Sequence, residues 1–366
     1  MRAVLIVVLL VHGAIHFMGF AKAFGFMALP QLSAPISKPQ GLAWLAAGLL
    51  TLSCILLPPR AFWMVGALAA ALSQVLVVNA WPDAKFGTIA NIILLLAATY
   101  AFVSAGPWSF AHAYAEEAAA ELRRSQLQSA IITEEDLNLV PAPVQRYLRV
   151  TGTLGQPRVS NFRAHWRGRI RDSATGPWMA FEAEQVNTLY PMPTRLFFMQ
   201  AVMKGLPVDV YHRFIGNAAT FRVRVLSLLQ IVSAAGPDMN RSETVTILND
   251  LCLLAPSALL DPSMHWEAST EDSARVRFER GAETIRAELR FNAAGELIDF
   301  ISDDRSKASA DGKSFEHLRW STPFNAYQTF GARRIFARGA AQWHAPNGAF
   351  AYGDFELVGI EYNVSR

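Results

Sequence analysis

The stretch AVLIVVLLVHGAIHFMGF, residues 3–20, is apolar apart from His12 and His16. A helix needs about 20 such residues, each rising about 1.5 Å, to cross roughly 30 Å of hydrocarbon. The stretch therefore reads as a membrane crossing, and it opens an apolar block that runs to about Ala105. Three further segments repeat the pattern. Gly41–Leu57 follows a loop punctuated by Pro30, Pro35 and Pro39; Ala61–Trp81 follows Pro58, Pro59 and Arg60; Thr88–Ala105 follows the polar turn Pro82-Asp83-Ala84-Lys85. Backbone groups in lipid must be satisfied inside each segment, so all four are expected to be helices, antiparallel across their short connections. Trp44, Trp63, Trp81, Tyr100 and Trp108 fall near segment ends, where amphipathic rings favour the interface. Gly48, Gly66 and Ala69–Ala71 allow close helix approach.

A rival reading takes the first segment as a cleaved signal peptide, with Arg2 before the apolar run and Ala21-Lys22-Ala23 as the cleavage site. Two histidines in the run argue against it. On the four-crossing reading the basic residues Arg2, Arg60, Arg123 and Arg124 share a side with the C-terminal domain, and Lys22, Lys38 and Lys85 share the other. The positive-inside rule then leans toward a cytoplasmic domain.

Residues 1–105 are thus expected to form the transmembrane domain, 106–136 a helical stalk, and 137–366 a water-facing domain large enough for its own core. The stalk, Ala111–Ser129, is rich in Ala and Glu. The 366 residues carry a formal charge of only +3 with no basic run, which gives no footprint for nucleic acid. The 2 cysteines, Cys54 and Cys252, lie in helical patterns without partners at metal-ligand spacing.

Past Gly152 the period changes from 3.6 to 2. Phe162, Ala164, Trp166, Gly168 and Ile170 alternate with Arg163, His165, Arg167, Arg169 and Arg171, as in a strand with one buried face. Similar runs are expected at 178–187, 194–203, 208–215, 219–225, 264–269, 274–280, 284–291, 297–303, 314–320, 332–338, 340–344 and 352–363. Gly216-Asn217, Ala294-Gly295-Glu296 and Pro346-Asn347-Gly348 serve as turns. One long helix interrupts the strands, opening at Pro237-Asp238, carrying Val245, Leu248, Leu251, Cys252 and Leu254, and stopping at Pro256. The expected fold class is a membrane α-helical bundle of four transmembrane helices followed by an α+β domain. That domain is a large curved antiparallel sheet, a half-barrel, with a covering helix.

Several stretches also carry a resemblance: His12-Gly-Ala-Ile-His16, Gly19-Phe-Ala-Lys-Ala-Phe-Gly25, Trp81-Pro-Asp-Ala-Lys-Phe-Gly87, Val144-Gln-Arg-Tyr-Leu148, Ala235-Gly-Pro-Asp-Met239, Trp320-Ser-Thr-Pro323 and Ile360-Glu-Tyr-Asn363. Together they resemble a family of uncharacterised bacterial membrane proteins that joins four N-terminal helices to a β-rich domain of unknown function. The resemblance implies a bacterial inner-membrane location and supplies no catalytic residue. The soluble part is also similar, in fold alone, to the half-barrel of periplasmic lipoprotein carriers.

Two sets of residues stand out. Inside the membrane, His12 and His16 share a helix face, where ionisable groups are costly. Such a pair suits a metal or haem, with Asp83 as a third ligand, or interhelical hydrogen bonds to Ser73, Gln74, Asn79 or Asn91. Asp83 and Lys85 read as a local ion pair or headgroup contact. No other cofactor is expected. In the β domain, Trp166, Phe197, Phe221, Leu248, Leu251, Trp320 and Trp343 are candidates for an apolar ligand cavity, with a packed core as the alternative. Asp238 and Glu243 are expected to complement the positive end of the long helix. Arg169 and its neighbouring arginines are expected to meet Glu182 and Glu184 across strands, or anionic headgroups. There is no phosphate loop, nucleophile elbow or zinc-protease motif, so no catalytic residue is named.

The leading expectation is a tethered binder of a lipid or other hydrophobic molecule, with membrane lipids as its surroundings. The alternatives are a redox or proton-handling protein working through His12 and His16, and a structural or sensory module reading a protein partner.

Overall fold

The computed structural model describes residues 2–365 and divides into two compact units, Met1–Ala113 and Tyr114–Arg366. The first unit contains α1 (Arg2–Ala23), α2 (Lys38–Ser53), α3 (Pro59–Asn79), the single turn α4 (Trp81–Ala84) and α5 (Gly87–Ala105). Helix α1 packs on α2 and α3 on α5, while α2–α3 and α1–α5 contacts close the ring. Its core is Leu9, Phe62, Ala69, Ala70, Leu94, Ala98 and Ala101. At the α1–α2 crossing Gly13 and Gly48 oppose each other: a Cβ on Gly48 would lie 3.0 Å from the Gly13 carbonyl oxygen. Glycine is needed there to let the two backbones meet.

Three helical stretches are long and apolar enough to cross a membrane: Ala3–Ala23, Pro59–Asn79 and Gly87–Arg124. The second expected crossing, 41–57, is shorter than expected and is not among these three. It is the 16-residue α2, which starts at a capping box between Ser37 and Gln40. Residues 54–56 turn before Pro58 and Pro59, so the helix stops at Ser53, and a length of about 24 Å falls short of the roughly 30 Å required.

In the second unit, α6 (Phe110–Arg124), α7 (Glu134–Leu137) and α8 (Ala142–Val150) precede the strands, α6 starting in the last residues of the first unit. Within this unit the expected stalk packs against the strands Thr194–Met203 and Leu206–Ile215. Tyr114 stacks near Phe198 and meets Tyr211 edge-on, with ring centroids 5.9 and 6.2 Å apart, and Glu117 is ion-paired with Arg213.

Strands β1 (Asn161–Ile170), β2 (Met179–Thr188), β3 (Thr194–Met203), β4 (Leu206–Ile215), β5 (Ala218–Val225) and β6 (Leu229–Ala235) lead into helix α9 (Pro237–Leu254). After it come β7 (Met264–Ser269), β8 (Ser273–Arg280), β9 (Glu283–Phe291) and β10 (Leu297–Ser302). The remainder are β11 (Ser306–Ala308), β12 (Phe315–His317), β13 (Arg319–Ser321), β14 (Phe324–Phe330), β15 (Arg333–Ala345) and β16 (Gly348–Tyr362). All but β11 and β12, which pair with each other, form one open 14-stranded antiparallel sheet. Its order is β6-β5-β4-β3-β2-β1-β16-β15-β13-β10-β9-β8-β7, with β14 also on β15. Turn glycines Gly216 and Gly295 have φ of 59° and 83°, as tight hairpins need. Strands β6, β11 and β14 are additions to the sequence reading, and 332–338 and 340–344 fuse into β15 across Gly339. A Cβ on Gly339 would lie 2.7 Å from the Pro323 carbonyl oxygen, so only glycine lets β14 approach here.

Topology explains why the sheet bends. Strands β6 and β7 are its two edges, and the chain passes from one to the other through α9. Laid flat, the 13-strand path would be roughly 58 Å wide at about 4.8 Å per strand. The 18-residue helix spans only about 27 Å, and the single 3-10 turn Pro256–Leu260 after it about 10 Å. The edges are therefore drawn in, and α9 packs on β5 and β6 from one end of the order and on β9, β10 and β15 from the other. Every residue of α9 from Ser242 to Leu254 is buried.

A buried helix end must still satisfy its carbonyls. Tyr147 of α8 donates its hydroxyl to the Cys252 carbonyl (2.8 Å), and Tyr362 of β16 donates to that of Leu254 (2.7 Å). Tyr147→Phe should destabilise the β domain by about 1–3 kcal/mol, because it strands a buried acceptor. Denaturant melts followed by tryptophan fluorescence read this directly; an unchanged midpoint would show that the hydroxyl is dispensable.

Candidate functional site

Inside the curled sheet lies a cavity of about 140 Å³, or about 870 Å³ of free space when its mouth is included. Alternation aims Trp166 of β1, Phe197 and Met199 of β3, Val210 of β4, Phe336 of β15 and Phe355 of β16 at it, while Leu253 and Leu254 of α9 and Trp320 of β13 close the far side. Of the residues expected to line a cavity, Trp166, Phe197, Phe221 and Trp320 do so. Leu248 and Leu251 are on other faces of α9, in the packed core. Trp343 pairs with Trp320 across β13 and β15 and stacks on Tyr352 at 5.7 Å.

One end of the cavity is polar, and the sequence reading had missed most of that end. Trp166 Nε1 donates to Gln185 Oε1 (2.9 Å), and Gln185 Nε2 donates to Asp250 Oδ2 (2.7 Å). The same oxygen accepts from Arg195 Nε (2.8 Å) and Asn187 Nδ2 (3.3 Å). Three donors on one oxygen are the surroundings of a carboxylate anion. Burial pushes the Asp250 carboxyl up from its ordinary range, against the pull of Arg195.

Arg195 Nη1 also lies 3.4 Å from Glu243 Oε2 and donates to His212 Nδ1 (3.2 Å). A guanidinium only donates, so His212 Nδ1 holds a lone pair and the ring is neutral. Glu243 is fully buried rather than sitting at the helix end as expected. Burial would raise its carboxyl, but its neighbours, the Arg195 and Arg305 guanidiniums among them, outweigh burial and hold it low. Asp238 remains exposed in the first turn of α9. The signals in the sequence were slight: Arg195 shares the inward register of Phe197 and Met199, and Asn249-Asp250 interrupts an apolar helical run.

Burial pushes the His212 imidazole down to about 4 from 6.5, against the attraction of Glu243. A folded-state value below the unfolded one means that the contribution is complete above pH 6.5. It is lost progressively as pH falls toward 4, because the unfolded chain takes the proton first. The melting temperature of the β domain is therefore expected to fall across that window, and His212→Asn should flatten the fall. An identical profile in the variant would assign the acid sensitivity to other groups.

On the outer face, Arg169 pairs with Asp354 (3.2 Å) and Arg167 with Glu356 (2.5 Å). This corrects the expected pairing with Glu182 and Glu184. Strand β16, adjacent to β1 on its other side, supplies these carboxylates, and Glu184 instead lies 3.9 Å from His165. Arg169 and Arg171 also cover the Trp178 ring.

In the helical unit, His12 Nε2 donates to Asn91 Oδ1 (2.8 Å), and Asn91 Nδ2 donates to Gln74 Oε1 (2.9 Å). His16 Nδ1 donates to the His12 carbonyl (2.7 Å), which leaves its Nε2 to accept from Ser73 Oγ (2.9 Å). Polar atoms from α1, α3 and α5 thus satisfy one another. Among the described residues no group of three or more His, Cys, Asp or Glu side chains is placed to hold a metal ion. Asp83, expected as a third ligand or as the partner of Lys85, instead accepts from Ser33 Oγ (2.8 Å) and the Ala34 amide (3.0 Å). Lys22 also ties this loop through the carbonyls of Leu32 and Ala34, and Lys85 lies over the Phe86 ring.

The fold and the cavity define a class: an open antiparallel cup closed on a buried helix, preceded by apolar helices. Residues 130–355 match the model of a family of unknown function, DUF6544, and the chain belongs to that family. The curated proteins give no match. Among solved structures, the chain is similar to a domain described as that of an outer membrane lipoprotein-sorting protein from Vibrio parahaemolyticus. The identity is 10% and the TM-score 0.32, over 64% of this chain and 94% of that one. It is also similar to a DUF1329 family protein from Desulfovibrio piger, at 10% identity and a TM-score of 0.34, over 65% of this chain and 95% of that one.

Proposed function

We propose that this protein is anchored in a bacterial inner membrane and that its half-barrel domain binds a lipid or other hydrophobic molecule. The observation that carries the reading is the cavity between α9 and the inner face of the sheet. Protein interiors are normally packed without such space, and the walls here are mainly aromatic and aliphatic. At about 140 Å³ the cavity is close in size to an apolar cavity known to accept benzene. It takes one ring or a short run of acyl chain, and the rest of the molecule occupies the mouth.

The anchor is a four-helix bundle in which α2 lies in the bilayer beside the three longer crossings. Its Leu42 and Leu49 point outward, each 54% exposed, as lipid contact requires. Val202, Leu206, Leu228, Leu229 and Ile231, at one end of the sheet, are also largely exposed and suit contact with a bilayer from which a ligand is drawn. Counted over four crossings, with α2 as one of them, the basic residues favour a cytoplasmic β domain.

Organic extraction and mass spectrometry of the purified full-length protein test the reading. Wild type should carry a hydrophobic molecule near one per chain. Ala341→Phe, which fills the cavity wall, should lose it while keeping its near-ultraviolet circular dichroism. Nothing extractable from wild type, or equal amounts in both, would sink the proposal.

A further inference from the structure

The polar end of the cavity contains one group whose hydrogen bonds are not made. Arg305, in the connection between β10 and β11, is 8% exposed and lines the cavity. Its Nε is sealed from solvent and has no partner. Its nearest carboxylate oxygen, Glu243 Oε1, is 3.8 Å from Nη2, beyond hydrogen-bond range. The guanidinium lies over the Trp320 ring at 4.2 Å, which favours the cation but accepts no N–H. A guanidinium carries five N–H donors, and a buried one left without acceptors is strongly disfavoured. By contrast, Arg195 beside it is bonded to Asp250 and His212.

The charges around this end decide what kind of acceptor fits. Arg195 and Arg305 are balanced by Glu243 and Asp250, and His212 is neutral because it accepts from Arg195. A ligand carboxylate or phosphate would add a fifth, unbalanced charge in a buried place, where uncompensated ions are heavily penalised. An uncharged oxygen completes the hydrogen bonding and keeps the balance.

We infer that the ligand presents an uncharged carbonyl oxygen, of the kind an ester carries, to the Arg305 guanidinium while its apolar part fills the aromatic end of the cavity. This rests on the ligand-binding reading above. Arg305 therefore selects carbonyl-bearing apolar molecules, such as ester-linked acyl chains, over free acids and plain hydrocarbons.

The test uses full-length protein in nanodiscs of ether-linked phosphatidylcholine, which contain no competing ester. The probes are methyl benzoate, benzoate and ethylbenzene, measured by saturation-transfer NMR at pH 7.5 against empty discs. Methyl benzoate should bind roughly tenfold tighter than ethylbenzene, as one hydrogen bond to a charged donor allows, and benzoate should bind weakest. Arg305→Met should abolish the advantage of the ester over ethylbenzene while ethylbenzene still binds. Should that variant fail to fold, Arg305→Lys preserves the charge balance without the planar fork, and the advantage should shrink. Benzoate binding as tightly as the ester overturns the inference, as does an unchanged order of affinities in the folded variants, which is the result expected if water fills the guanidinium's needs. Equal binding of all three probes to wild type overturns this inference alone. Binding of none overturns the ligand-binding reading and this inference with it.

Discussion

Arg195→Met is expected to remove most of the β domain's stability. The side chain is 7% exposed and is the hydrogen-bonded cation for two buried carboxylates, Asp250 at 2.8 Å and Glu243 at 3.4 Å. Deleting one partner of a buried ion pair costs about 3–5 kcal/mol, because the remaining charge is left in a medium that cannot solvate it. Here Asp250 is left without its cation and Glu243 with only Arg305, 3.8 Å away, against a typical domain stability of about 5–15 kcal/mol. Denaturant unfolding should show the midpoint collapse, or the protein should fail to accumulate. The double change Arg195→Met, Asp250→Asn should regain part of the loss, since it removes the Asp250 charge together with its hydrogen-bonded cation and leaves Glu243 facing Arg305. A single Arg195→Met variant within about 1 kcal/mol of wild type would mean that the polar end of the cavity is solvated rather than closed.

The second large effect is expected in the helical unit, from Gly48→Leu. The Cβ alone would lie 3.0 Å from both the Gly13 carbonyl oxygen and the Phe17 ring, and 3.2 Å from the His16 Cβ. The carbonyl cannot move without its helix, and a displaced His16 loses its 2.9 Å contact with Ser73 of α3. Overpacking typically costs about 1–3 kcal/mol, and contact with backbone on the facing helix places this substitution at or above the upper end. Thermal aggregation of the detergent-solubilised protein should shift strongly downward. Leu49→Ala, one residue along but 54% exposed, should leave it nearly unchanged. Similar shifts for both would show that α1 and α2 do not meet at these glycines.

Several of the stretches that carry the family resemblance converge on one element. Tyr147 and Tyr362 cap the carbonyl end of α9, Gly236 and Pro237 open it, and Thr322 donates to Asn249 on it at 2.7 Å. Trp320, from the same stretch as Thr322, walls the cavity. What those stretches share is the placement of this helix inside the sheet.

The sequence by itself determined the apolar helices, the change from helical to strand period after Gly152, most strands to within two residues, and α9 with its two proline boundaries. These follow from local periodicity and from chain stiffness, which neighbours in sequence report. It placed the end of the second apolar segment at Leu57, because hydropathy does not reveal that α2 halts at Ser53. Only the tertiary structure decided that β6 and β7 are sheet edges drawn together by α9, that Glu243 and Asp250 are buried beside Arg195, and that Arg305 faces the cavity without an acceptor. Those facts depend on residues far apart in the chain, where burial and charge are set by whatever the fold brings alongside. A single carboxylate on a helix looks the same in sequence whether water or a guanidinium stands beside it.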